Sequence, residues 1–167
     1  VNLTGTFFGM RAVAESIKAA GGGVIVNTSS VNGLWASLGP HVSHTAYASA
    51  KFAVRGFTEA LREEMEIEGC GVGVTSVHPG GIKTNIARAA RMDKSVTNLG
   101  LSTNSTEKFE KLFSTTADDA AAVIIKGVEK NQRRVLIGKD AVAIDLMVRL
   151  FPSTYQKLVS LSTKSMK

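Results

Sequence analysis

Tyr47 and Lys51, a tyrosine and a lysine four residues apart, are the residues of this chain best placed to do chemistry. On a helix they would share one face, with their Cβ atoms roughly 5–6 Å apart. A free tyrosine has a pKa of about 10 and is a poor base at neutral pH, but a nearby cation stabilises the phenolate and lowers that pKa. The pair therefore predicts a general acid–base catalyst that acts on a hydroxyl or carbonyl group.

Two serines could supply a hydroxyl for the same reaction. Ser29 and Ser30 end an apolar run that begins at residue 23 and has the pattern of a buried parallel strand. The carboxyl ends of such strands are where open α/β sheets bind their ligands. A serine there is able to polarise a substrate carbonyl, although a strand-end hydroxyl often only caps a turn. Strand position alone leaves both serines and both roles open.

Apolar runs and helical patterns alternate along the chain, which predicts an α/β fold with a parallel sheet and right-handed crossovers. The predicted strands cover residues 23–29, 71–77 and 134–138, and the predicted helices cover residues 3–20, 45–68 and 140–150. Another helix is expected after Thr116, which has the residue type of a helix cap and is followed by acids. Residues 85–115 are polar and lack periodicity, so we expect them to form a mobile lid over the substrate.

Four motifs follow one another in a fixed order: VNLTG at residues 1–5, VIVNTSSVNG at 24–33, YASAK at 47–51 and HPGGIKT at 78–84. They resemble the Asn–Ser–Tyr–Lys tetrad of the short-chain dehydrogenase/reductase family and the Pro-Gly segment after its next strand. A lone Tyr-x-x-x-Lys is common by chance, whereas four ordered motifs are specific. The resemblance implies an α/β fold, the C-terminal part of a Rossmann-type doubly wound parallel sheet with flanking helices. Within the family, the chain is similar to bacterial alcohol or acetoin-type dehydrogenases.

The resemblance implies catalytic roles for Asn2, Ser30, Tyr47 and Lys51 in NAD(P)-dependent hydride transfer to or from a secondary alcohol or ketone. Tyr47 would exchange a proton with the substrate oxygen, and Ser30 would hold that oxygen. Ser30 is preferred over Ser29 because the family's serine directly precedes a Val-x-Gly turn. Lys51 would lower the tyrosine pKa and bind the nicotinamide ribose, since its ammonium has three donors. Asn2 would place a water that links Lys51 to solvent.

The resemblance also implies which residues contact the cofactor, namely Tyr47, Lys51, Pro79, Gly80, Ile82 and Thr84. The backbone of Ile82 and the hydroxyl of Thr84 would meet the nicotinamide carboxamide. Glycines in this segment let the backbone approach a flat ring closely. The choice between NAD and NADP stays open, because no glycine-rich turn follows a strand in these 167 residues. We therefore expect residues 1–167 to be the catalytic second half of a single Rossmann-type domain, inactive without its nucleotide-binding half.

Composition excludes several other classes of protein. The net charge of +6 is spread among acids, without a basic block interleaved with aromatic residues, so nucleic acid is not an expected partner. No stretch reaches the roughly 20 apolar residues of a membrane span. The single cysteine, Cys70, excludes an internal disulfide and suits a reducing, cytoplasmic compartment. His41 and His44 lie in a loop without a nearby cysteine or carboxylate cluster, so no metal site is expected.

The resemblance also implies partners, and the sequence leaves alternative functions open. By resemblance, the helices at residues 3–20 and 45–68 would pair in a homodimer or homotetramer, and the substrate would be a small alcohol or ketone. The loop at residues 33–44 is longer than the family's commoner form and would place Trp35, His41 and His44 near the substrate. A catalytically inactive relative that binds nucleotide is the main alternative, and an acyl hydrolase that uses Ser, Tyr and Lys is a more distant one.

Overall fold

The computed structural model of the protein describes residues 2–36, 45–85 and 113–164. The helices in these ranges are α1 Thr4–Ala19, α2 Thr45–Glu68, α3 Ala117–Glu129, α4 Lys139–Leu150 and α5 Tyr155–Lys164. The strands are β1 Gly23–Thr28, β2 Val72–Pro79, β3 Ile82–Lys83, β4 Thr115–Thr116 and β5 Arg134–Ile137. A short 3₁₀ helix covers Val31–Gly33.

Three of the strands form a parallel sheet in the order β1-β2-β5. Gly23 of β1 pairs with Val72 of β2, and Ser76 of β2 pairs with Arg134 of β5. The chain passes through α2 between the first two strands and through α3 before the third. Helices that alternate with parallel strands confirm the predicted α/β class with a Rossmann-type sheet. In the described sheet β1 lies at one edge and β5 at the other.

Two clusters of buried apolar side chains hold the helices on the sheet. The first cluster joins α1 and α2 to β1 and β2, and it contains Met10, Ile25, Met65, Val72 and Val74. The second joins α3 to β2 and β5, and it contains Val77, Ala120, Val135 and Ile137. Side chains along a strand alternate between its two faces. Because Val72 and Val74 serve one cluster and Val77 the other, β2 is covered on both faces.

Local signals explain where the helices begin and end. Gly21 and Gly22 follow α1 with φ angles of 86° and 123°, the left-handed region in which glycine is favoured. A Cβ on Gly22 would also lie 2.6 Å from the main-chain oxygen of Gly71, so the turn needs a glycine there. At the start of α3 the side chain of Thr116 accepts a hydrogen bond from Asp119 N, which confirms the predicted cap.

The predicted elements agree with the structure, apart from boundaries and short pieces. The helix at residues 45–68 has the predicted bounds, whereas the predicted strand at residues 71–77 continues to Pro79. The pairing of β3 with β4, the 3₁₀ helix and α5 were not predicted. Most of the predicted lid, residues 86–112, lies outside the described residues. In the part of the chain that is described, no helix is long and apolar enough to span a membrane.

Candidate active site

Ser30 lies just beyond the carboxyl end of β1 in an extended conformation, with φ −176° and ψ 169°. The residue is buried, with 8% of its surface exposed. Its Oγ accepts a hydrogen bond of 3.1 Å from Asn32 N, which caps the 3₁₀ helix. Its main-chain oxygen accepts from Gly33 N at 2.9 Å and lies 2.9 Å from Nδ1 of His78. Both the main chain and the side chain of Ser30 are therefore held in place.

Tyr47 and Lys51 lie in the first two turns of α2, which confirms that they are on one helix. The Lys51 ammonium is 5.6 Å from the centroid of the Tyr47 ring, within the range of a cation–π contact. Lys51 Nζ also donates a hydrogen bond of 2.9 Å to Thr28 O at the end of β1. Burial lowers the pKa of Lys51 below its ordinary value. The predicted cation therefore stands beside the tyrosine at the carboxyl edge of the sheet.

Residues 29–33 form the turn after β1, called the serine turn below. This turn packs closely against α2, the helix that carries Tyr47 and Lys51. Ser29 Oγ donates a hydrogen bond of 2.8 Å to Lys51 O, and Arg55 Nη1 donates one of 3.3 Å to Gly33 O. A Cβ on Gly33 would lie 2.2 Å from Ser29 Oγ and 2.8 Å from Lys51 O. This contact explains why residue 33 is a glycine and why residue 29 is a serine. The sequence indicates Ser29 only as an alternative to Ser30 for the catalytic hydroxyl, because the residues of α2 that Ser29 contacts are distant in sequence.

His78 is a buried polar residue of this region to which the sequence motifs assign no role. Its side chain is fully buried near the end of β2. Nε2 lies 2.9 Å from Ser76 Oγ, and Nδ1 lies 2.9 Å from Ser30 O. Burial lowers the pKa of His78, against the smaller opposing effect of the bond to Ser30. The only signal in the sequence is its place directly before the Pro-Gly segment.

The Pro79–Thr84 segment follows β2 and is held by α4 and β5. Gly80 N donates to Ile137 O at 2.9 Å, and Gly81 N donates to Asp140 Oδ2 at 2.6 Å. A Cβ on Gly80 would lie 2.1 Å from the Asp140 carboxylate, and a Cβ on Gly81 would lie 2.1 Å from the Phe113 ring. A side chain at either glycine would therefore force the Asp140 carboxylate or the Phe113 ring to move, which is a packing reason for glycine that the sequence does not reveal.

The remaining predicted site residues have different surroundings. Ile82 is partly buried in β3 and contacts the second apolar cluster, whereas Thr84 is exposed just after that strand. Asn2 is exposed in the turn before α1, and its main-chain oxygen accepts a hydrogen bond of 3.0 Å from Thr6 Oγ1. That contact does not involve the side-chain amide, so the role of Asn2 in a water relay stays a prediction.

Two further predictions concern the loop after the serine. Trp35 Nε1 donates to Asn32 Oδ1 at 3.2 Å, and Ala36 N donates to the hydroxyl of the buried Tyr155 at 3.1 Å. The start of α5 thus holds the beginning of this loop. His41 and His44 lie outside the described residues. Within the described ranges, no group of three or more His, Cys, Asp or Glu side chains is arranged to hold a metal ion.

Comparison with known proteins decides the family. The sequence profile of the short chain dehydrogenase family matches residues 1–95, more than half of the chain. The chain belongs to the short-chain dehydrogenase family. It is 43% identical over 161 residues to SadH of Mycobacterium tuberculosis, a protein whose name proposes oxidoreductase activity. That match covers 96% of this chain and 55% of the relative, so the chain spans about half the length of the relative.

Solved structures of short-chain dehydrogenases share the fold. A protein from Burkholderia phymatum in complex with NAD matches with a TM-score of 0.75 and 21% identity, over 93% of this chain and 57% of that one. A second, from Burkholderia cenocepacia in complex with NADP, matches with a TM-score of 0.70 and 23% identity, over 95% of this chain and 56% of that one. One of these neighbours binds NAD and the other NADP, the two dinucleotides between which the sequence does not distinguish.

Proposed function

We propose that the protein containing this chain is an NAD(P)-dependent oxidoreductase that transfers hydride between a nicotinamide and a secondary alcohol or ketone. The observation that carries the proposal is the Tyr47–Lys51 pair, with the ammonium 5.6 Å from the tyrosine ring and bonded to the last residue of β1. Ser30 lies two residues beyond that bond. A phenol, a cation and a serine hydroxyl at one strand end suit acid–base chemistry on a carbonyl oxygen.

The donor set of Lys51 fits a nicotinamide ribose. An ammonium has three hydrogens to donate. In the described part of the chain, Lys51 Nζ donates to Thr28 O, which leaves two hydrogens for ribose hydroxyls. Tyr47 and the segment from Pro79 to Thr84 would line the nicotinamide itself. When bound, the dinucleotide supplies or accepts the hydride, and the protein provides position and electrostatic field.

The side chains of the site provide the groups that transfer the proton. In ketone reduction Tyr47 gives its phenol proton to the substrate oxygen, and in alcohol oxidation it takes that proton back. The Lys51 ammonium, 5.6 Å from the ring centroid, places a positive charge beside the group that transfers the proton. Ser30 Oγ accepts a hydrogen bond from Asn32 N, so its own O–H remains to donate to the substrate oxygen. Asn2 would hold the water through which the proton reaches solvent.

Assembly through α1 and α2 is part of the proposal. Phe7 and Phe8 of α1 are 41% and 57% exposed, and Phe52 of α2 is 38% exposed. The Phe7 ring contacts the Phe57 ring edge-on at 5.4 Å, which continues the aromatic surface from α1 onto α2. Exposed aromatic side chains on adjacent helices support a homodimer or homotetramer, since such surfaces are enriched at interfaces. A cytoplasmic location and a substrate lid at residues 85–115 belong to the same proposal.

The test uses the protein translated from its complete reading frame. NADH and NADPH are titrated by fluorescence, and a panel of ketones and secondary alcohols is then assayed at saturating dinucleotide. We expect saturable binding of one dinucleotide and turnover of at least one substrate. Tight dinucleotide binding with no turnover across the panel would favour the inactive nucleotide-binding relative. Hydrolysis of a nitrophenyl ester without dinucleotide would instead favour the acyl hydrolase.

A further inference from the structure

His78 is a fully buried titratable residue to which the proposed mechanism gives no role. Residues 72, 74, 76 and 78 share one face of β2 because side chains alternate along a strand. Val72 and Val74 on that face contact Met10 of α1 and Met65 of α2 in the apolar cluster. The same face therefore carries two apolar side chains and then a serine and a histidine. The change from apolar to polar occurs where β2 passes the serine turn.

The two hydrogen bonds of His78 determine which ring nitrogen carries the proton. The partner of Nδ1 is the main-chain oxygen of Ser30, which can only accept, so Nδ1 must be the donor. In a neutral ring Nε2 then accepts, and the hydroxyl of Ser76 donates to it. Burial lowers the pKa of His78, and the positive charges of Arg134 and Arg55 lower it further, against the bond to Ser30 and the charge of Glu59. The ring is therefore neutral at neutral pH.

The bond from His78 acts on the residue whose hydroxyl meets the substrate. Ser30 O accepts from two donors, Gly33 N in its own turn and the His78 ring on the neighbouring strand. The bond to Gly33 fixes only the local turn. The bond to His78 fixes that turn relative to β2, and so relative to the Pro79–Thr84 segment that follows. An apolar side chain of similar size would fill the space but would leave a lone pair of a buried carbonyl unpaired.

We propose that His78, oriented by Ser76, is a positioning residue that aims the Ser30 hydroxyl at the substrate oxygen. The inference rests on the proposed function, because it assigns a role within that reaction. Neither His78 nor Ser76 touches the substrate. Small displacements of a reacting group lower turnover strongly, since a shift of about 1 Å can cost about 100-fold. Loss of the His78 bond should therefore reduce kcat more than it reduces substrate or dinucleotide affinity.

The experiment compares four variants of the complete protein. His78→Leu removes both hydrogen bonds, and His78→Asn keeps an N–H donor on the side where Nδ1 lies. Ser76→Ala removes the hydroxyl that orients the ring. Thr75→Val is the matched control, because Thr75 is a fully buried neighbour in β2 whose hydroxyl bonds Gln132 O instead. Each variant is measured for kcat, KM, dinucleotide Kd and thermal midpoint, and nitrogen NMR of wild type and Ser76→Ala reports which ring nitrogen is protonated.

We expect His78→Leu to lower kcat by about 10- to 100-fold with dinucleotide Kd within about twofold, and His78→Asn to restore most of the loss. Ser76→Ala should lower kcat by less than His78→Leu and should keep the proton on Nδ1, because Ser30 O still accepts from that nitrogen. Thr75→Val should keep kcat within about twofold of wild type, although it also removes a buried hydrogen bond. A fall in kcat for Thr75→Val equal to that of His78→Leu would mean general damage to β2 and would overturn the inference.

Failure of the inference and failure of the proposed function give different results. An active wild type whose kcat is unchanged in His78→Leu would overturn the positioning role alone. A ring protonated at Nε2 in wild type would also overturn it, whatever the activity. Absence of turnover by wild type with every alcohol and ketone would overturn the proposed function, and the inference with it.

Discussion

The carboxyl ends of β1 and β2 are held in different ways. At the end of β1, buried side chains hold the serine turn: Ser29 bonds to Lys51 O, and His78 bonds to Ser30 O. At the end of β2, main-chain N–H groups hold the turn: Gly80 N donates to Ile137 O of β5, and Gly81 N donates to the exposed Asp140 carboxylate. The comparison teaches that buried side chains hold the first end, whereas main-chain bonds and one exposed carboxylate hold the second. We therefore expect changes at the first end to alter turnover and changes at the second to alter dinucleotide affinity.

Replacement of Tyr47 by phenylalanine tests the β1 side most severely. Tyr47→Phe keeps the ring and removes the proton donor, so we expect kcat to fall by at least about 100-fold while dinucleotide Kd stays unchanged. The matched control is Tyr155→Phe, because Tyr155 is the second of the two tyrosines and bonds Ala36 N away from the pair with Lys51. Turnover of Tyr47→Phe within threefold of wild type would exclude the acid–base role.

Lys51 belongs to both sides of the comparison, since we propose that its ammonium acts on the tyrosine and on the ribose. Lys51→Met should lower kcat by about tenfold or more, because the proton-transferring residue loses the positive charge beside it. It should also weaken dinucleotide binding, which Tyr47→Phe does not. Lys18→Met is the control, as Lys18 forms a surface ion pair with Glu68. Unchanged dinucleotide affinity in Lys51→Met would show that Lys51 acts through the tyrosine alone.

Replacement of Asp140 tests the contribution of the turn at the carboxyl end of β2. Asp140→Ala leaves Gly81 N without its carboxylate acceptor, and hydrogen bonds to charged groups contribute about 1.5–3 kcal/mol. Solvent reduces the effect at this exposed position, so we expect dinucleotide Kd to rise severalfold and kcat to change little. Asp118→Ala, at the exposed start of α3, is the control. A fall in kcat at constant Kd would show that the two strand ends are not functionally distinct.

The pH dependence of stability gives the smallest expected effect. The pKa of His78 is lowered in the folded protein, and an unfolded histidine titrates near pH 6.5. Between these two pKa values the unfolded chain binds more protons, so stability is full above about pH 6.5 and declines as the pH falls. Chemical denaturation of wild type and His78→Leu between about pH 7 and pH 5 should show a steeper decline for wild type. An equal decline of the unfolding free energy with pH in both proteins would mean that His78 does not contribute to this pH dependence.

Local patterns predicted the elements of this fold, and long-range contacts supplied what they missed. The hydrophobic period of α2 and the cap at Thr116 depend only on residues that are close in sequence, so both could be predicted from the sequence alone. The pairing of β3 with β4 joins residues 82–83 to residues 115–116, and neither strand has more than two residues to form a pattern. The bonds from Ser29 and His78 likewise cross between elements. The candidate reactive groups could therefore be predicted from the sequence, whereas the groups that hold them in place could not.

The central claim is hydride transfer, and isotope transfer tests it most directly. The complete protein is incubated with a ketone substrate and reduced dinucleotide that carries deuterium at the nicotinamide C4 position, separately on each face. We expect deuterium on the carbinol carbon of the product from one of the two labelled forms, with a proton from solvent on the oxygen. Product that forms without deuterium from either form, with the label retained in the dinucleotide, would contradict it.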